Sequence, residues 1–186
     1  MSATIPRPTS PQGTAKLAGI FYLGTIISGA LALALPGGGT VMLLISTACY
    51  VVVTLLFYTL FRPVSPAVSL LALIVGLVGC LFGALGPLHL SPISVSPLLF
   101  FGFYCLLIGF LIFRSEFLPR WLGVFMAMGG LGWLTVVTPA LAARLSPYNM
   151  ATSVLAETSL TVWLVVRGVS SQRWHEQARA RGLSAA

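Results

Sequence analysis

RPVSPAVSLLALIVGLVGCLFGALGP, residues 62–87, reads in order as a cation, a helix start, an uninterrupted apolar run and a helix stop. Arg62 stands at the border. Ser65-Pro66 follows, a hydroxyl able to cap free backbone N–H groups ahead of a proline at the first helical position. The run that begins at Ala67 carries no charge before Gly86-Pro87 ends it. A hydrocarbon core about 30 Å thick takes roughly 20 such residues to cross as a helix. The spacing therefore predicts a transmembrane helix over 66–88.

The same pattern repeats on both sides. Spans are predicted at 16–35, 41–61, 97–114, 119–143 and 149–168. Ser96-Pro97 and Pro119 start two of them and Ser146-Pro147 precedes the last. Pro36-Gly37-Gly38-Gly39 stops the first, and Pro139 is expected to kink the fifth. Only 7% of the residues are charged and 58% are hydrophobic, against about 25% charged in a soluble domain. Six spans leave only turns and tails, so no separate soluble domain fits. The fold class is all-α, a six-transmembrane-helix bundle, with loops short enough to make consecutive helices antiparallel neighbours. Residues 1–15 read as a disordered N-terminal tail, 16–168 as the membrane domain and 169–186 as a basic cytoplasmic tail, either solvated or lying on anionic lipid. The run from Leu17 to Leu35 exceeds the apolar core of a signal peptide, about 7–15 residues, and is expected to be retained as a span.

Every Lys and Arg except Arg144 falls on one side of this alternation. Such residues mark the cytoplasmic side, so both the N-terminus and the C-terminus are expected there. A net charge of +7 on a folded face would suggest nucleic acid. Strung along membrane borders, it implies the lipid bilayer as partner and excludes nucleic acid. Arg62, Arg114, Arg120 and Arg167 are candidate topology anchors, or holders of anionic lipid phosphates.

Glu157 is the one charged residue well inside a predicted span. An ionisable group at a helix centre costs about 2.5–3.5 kcal/mol to insert, which turns it toward the bundle interior. Asn149, Ser153, Glu157 and Thr161 recur every fourth residue and give the sixth span a polar stripe. Ser46, Tyr50, Thr54 and Tyr58 make a second stripe on the second span. Tyr22, Thr25 and Ser28 add hydroxyls on the first, Thr135 and Thr138 on the fifth. If the second and sixth spans face each other, the two stripes enclose Glu157 in a polar pocket. The competing reading is interhelical glue, worth about 0.6 kcal/mol per hydrogen bond.

Nothing points to catalysis. His89 and His175 lie on opposite sides of the membrane, the chain has no Asp, and no metal or phosphate motif occurs, so neither an enzyme nor a cofactor is expected. Cys49, Cys80 and Cys105 sit singly in apolar runs and read as packing residues. Small-residue pairs, Gly24-xxx-Ser28, Gly79-xxx-Gly83, Cys105-xxx-Gly109 and Gly123-xxx-Ala127, suit close helix contact. They are expected to seat neighbours within the chain, or alternatively a second copy in a homo-oligomer.

The turn Phe113-Arg114-Ser115-Glu116-Phe117-Leu118-Pro119-Arg120-Trp121-Leu122-Gly123 is the most distinctive string. With Lys16-Leu17-Ala18-Gly19, Leu60-Phe61-Arg62-Pro63, Glu157 and Trp163-Leu164-Val165-Val166-Arg167-Gly168, it resembles a bacterial multi-pass family, the domain-of-unknown-function 4386 family. The resemblance spans Lys16 to Val169. It implies six helices in a bacterial inner (plasma) membrane, and it supplies no substrate or site. Two departures stand out: the first outer segment, Pro36 to Thr40, is shorter than is usual in the family, and Ala156 replaces a usual Gly before the acid. The functional expectation is a non-enzymatic membrane protein whose interior around Glu157 binds or passes a small solute or proton. The alternative is an accessory protein that holds a membrane-protein partner or anionic lipid through its small-residue faces and basic surface.

Overall fold

The computed structural model describes residues 10–35, 39–90 and 95–182. Expectations for residues 1–9, with Arg7, and for the Pro36-Gly37-Gly38 stop lie outside the described residues. The elements are α1 (Pro11–Ala34), α2 (Gly39–Phe61), α3 (Pro66–Leu85), α4 (Pro97–Arg114), α5 (Arg120–Leu134), a 3₁₀ turn (Thr135–Val137), α6 (Pro139–Leu145), α7 (Tyr148–Val166) and α8 (Ser171–Ala180). Six helices, α1 to α5 and α7, are long and apolar enough to cross a membrane, the fifth by running on through its 3₁₀ turn to Val137.

Local chemistry sets the helix ends. Ser10 Oγ accepts from Gly13 N at 3.1 Å, so α1 starts at Pro11 and takes in residues expected to be tail. Ser65 and Ser96 cap α3 and α4 in the same way. The fifth span departs from expectation: it breaks rather than kinks. Thr138, before Pro139, is extended at φ −121° and ψ 93°, as the steric demand of a following proline favours. Thr135 Oγ1 donates to Gly132 O at 2.7 Å, and the chain restarts as the short helix α6. At the end of α7, Gly168 adopts φ +67°, the left-handed conformation that favours glycine.

The helices close into a ring. Each of α1 to α4 packs on its successor, α5 packs on α7, and α7 packs back on α1. The small-residue pairs lie inside these contacts. A Cβ on Gly109 would meet Gly123 O at 2.8 Å and Ala127 N at 2.9 Å, so two of the predicted motifs seat each other across α4 and α5. Gly24 lies against Cys49 of α2 and Gly79 against Phe101 of α4. The interior is aromatic: Tyr22, Tyr50, Phe57, Phe61 and Tyr104 are all buried.

The chain beyond α7 is helical and docked. Trp174 Nε1 of α8 donates to Leu60 O at 2.8 Å, and Arg173 and Gln177 reach the carbonyls of Glu116 and Arg114 at 3.3 Å. α8 therefore covers the end of the bundle where α2 and α4 finish. Gln12 joins both ends of the chain there, donating to Arg167 O at 3.0 Å and accepting from Val169 N at 2.8 Å.

Candidate functional site

Glu157 sits midway along α7, half-buried and turned into the ring. Its Oε1 accepts from Trp133 Nε1 of α5 at 2.6 Å and from Cys105 Sγ of α4 at 3.7 Å. The first is a short indole bond of the kind that a carboxylate strengthens. Around these donors stand three tyrosines from three helices: Tyr22 of α1, Tyr50 of α2 and Tyr104 of α4. All three are within electrostatic reach of the acid. Their rings pack on one another edge to face, Tyr22 on Tyr50 at 5.5 Å and Tyr50 on Tyr104 at 5.6 Å between centroids.

Among the described residues none of the three tyrosine hydroxyls makes a well-formed hydrogen bond, although that of Tyr22 lies toward Glu157 and Tyr50, and that of Tyr104 toward Thr54. Each such hydroxyl costs about 1–3 kcal/mol when buried unpaired. Phenylalanine would fill nearly the same volume without that cost. Three buried hydroxyls without a well-formed bond beside an interior acid are thus an expensive arrangement for a purely structural core, and they offer donors and acceptors to a water, a proton or a small polar solute.

The predicted pocket forms differently from its expectation. α1 lies between α2 and α7, so the two stripes do not face each other. From the stripe on α2, Tyr50 alone stands at the acid. Thr54 Oγ1 donates to Tyr50 O at 2.9 Å, and Ser46 Oγ donates to Thr25 O at 3.0 Å, which links α2 to α1. Tyr58 is half-buried toward the α8 end, and its carbonyl accepts from Ser69 Oγ at 3.0 Å. On α7 the stripe is largely a seam with α5. Ser153 Oγ donates to Gly129 O at 2.7 Å, Asn149 Nδ2 donates to Thr135 Oγ1 at 2.8 Å, and Thr161 Oγ1 bonds back to Glu157 O at 2.8 Å. Glu157 faces the centre instead.

Trp133, Tyr104 and Cys105 are site residues that the stripe reasoning passed over, because they come from spans without an obvious polar periodicity. Among the described residues no three His, Cys, Asp or Glu side chains gather to hold a metal ion. Arg62, Arg114, Arg120 and Arg167 close or open helices at the end covered by α8, and Arg144 lies in α6, past the far end of α5.

Ring and site together define an all-helical bundle of six membrane-capable helices built around one interior acid. The family model for a domain of unknown function, DUF4386, matches residues 93–168, which include α4, α5 and Glu157. An uncharacterised protein of the archaeon Archaeoglobus fulgidus is 32% identical over 127 residues, 63% of this chain and 76% of that one. The chain belongs to the DUF4386 family. That relative is archaeal, whereas the resemblance implied a bacterial source. No solved structure matches.

Proposed function

We propose that this is a non-enzymatic, multi-pass protein of a prokaryotic plasma membrane, with both termini cytoplasmic, whose interior at Glu157 exchanges a proton or binds a small polar solute. The observation that carries this reading is the set of three buried tyrosine hydroxyls, none in a well-formed hydrogen bond to a described residue, around a single interior carboxyl. Intramembrane acids that face a bundle interior commonly mark proton or solute paths. The orientation rests on the basic residues gathered at the α8 end, the side that the positive-inside rule makes cytoplasmic.

A pH titration of the reconstituted protein by infrared difference spectroscopy tests it. A protonated-carboxyl band that titrates in wild type and is missing in Glu157→Gln supports the reading, and flux or binding assays on the same pair of proteins follow. A Glu157 that gives no titrating signal across the accessible pH range is sequestered glue, and the reading fails.

A further inference from the structure

The outer face of α7 carries a second feature, independent of the interior acid. Leu155, Thr158, Ser159, Val162, Trp163, Val166 and Arg167, with Trp121 of α5, line an open groove of about 430 Å³. The α7 residues recur at three- and four-residue intervals, which puts them on one helix face. The face runs about 18 Å along the helix axis from Leu155 to Arg167. It is apolar along most of its length and cationic at one end.

That end is chemically unfinished. The Arg167 guanidinium lies over the Trp163 ring at 5.6 Å, and among the described residues it has no carboxylate partner. Trp121 and Trp163 pack edge to face at 5.8 Å. Trp133 and Trp174 donate their indole N–H groups to protein acceptors. Those of Trp121 and Trp163 have none among the described residues. Three donors, one of them charged, thus belong to the residues lining the Arg167 end of an apolar trough, at the membrane end where the other basic residues gather.

We propose that this groove is a binding site for one anionic phospholipid. Its phosphodiester is held by Arg167 and the two indole N–H groups, and an acyl chain lies along Val166, Val162 and Leu155. The charge complements a phosphate, which guanidinium binds through paired hydrogen bonds. The trough below has the length and polarity of a lipid tail rather than of a soluble anion.

Trp121 and Trp163 supply the probe. The full-length protein is reconstituted in phosphatidylcholine, and brominated phosphatidylglycerol or brominated phosphatidylcholine is titrated in while tryptophan fluorescence is followed. The expected result is half-maximal quenching at an about tenfold lower mole fraction of the anionic lipid, the scale of one charge-assisted contact. Arg167→Gln should abolish the preference. Val162→Phe, which fills the trough, keeps the charge and adds no tryptophan, should weaken quenching by both lipids, and Lys16→Gln, away from the groove, should leave the preference intact. Equal quenching by the two lipids in wild type overturns the proposal. So does a preference that survives Arg167→Gln, or one that falls equally in Lys16→Gln, which marks a diffuse surface potential instead of a site.

Discussion

At Glu157, the short bond from Trp133 and the nearby thiol of Cys105 hold the carboxyl in place, while the tyrosines around it are left short of partners. These groups should answer mutation in opposite ways. Trp133→Phe removes the strongest donor and leaves the carboxyl to find another, so stability should fall by about 1.5–3 kcal/mol, read by equilibrium unfolding in mixed micelles. Tyr50→Phe removes a hydroxyl that makes no well-formed bond to a described residue. It should leave stability unchanged or raise it by about 1 kcal/mol, while the Glu157 infrared band shifts. A loss of stability in Tyr50→Phe as large as that in Trp133→Phe would mean that the hydroxyl already has a structural partner, and the case for an exchangeable interior would weaken.

At the level of helices, glycine decides which pairs come close. A Cβ on Gly123 would stand 2.6 Å from Gly109 O and 2.8 Å from Phe113 N, both backbone atoms. Gly123→Ala should therefore push α4 from α5 and cost about 1–3 kcal/mol. A Cβ on Gly29 would meet only Ser46 Oγ among the described residues, at 3.6 Å, and Gly29→Ala should be neutral or stabilise by about 0.4–1 kcal/mol; thermal unfolding of the two variants makes the comparison. Helix ends were legible wherever a single residue sets them: Ser65, Ser96 and Pro119 each stand where the sequence places them. Ser10-Pro11 is the same signal as Ser65-Pro66, but it was hidden by the neighbouring Pro6, Pro8 and Gly13. The break before Pro139 is not legible, because a proline within an apolar run permits either a kink or a break, and only the extended conformation of Thr138 distinguishes them. The site was half legible. Periodicity identifies the polar face of a helix, but not the neighbour that meets it. Trp133 and Cys105 reach Glu157 from 24 and 52 residues away, and that meeting depends on the order of helices around the ring.

Over the whole molecule, charge and topology agree on one end. Lys16, Arg62, Arg114, Arg120 and Arg167 stand at the helix ends that α8 covers, and Arg144 stands past the other. With the α8 end cytoplasmic, a cysteine in Leu90→Cys should react with an impermeant maleimide added to intact cells, and one in Ser170→Cys only after lysis. The reverse pattern would invert the proposed orientation. The ring closure has a further consequence, for the order in which the protein is made. Each helix from α2 to α5 can pack on the one synthesised just before it, but α1 waits for its second neighbour until α7 leaves the ribosome. Until then the ring is an open arc, and the Trp133 indole lacks the carboxyl it meets in the finished protein. Glu157 thus enters the bilayer last, on the segment that shuts the arc, and the indole that receives it is already in place. The hardest residue to insert arrives when its reception is most complete.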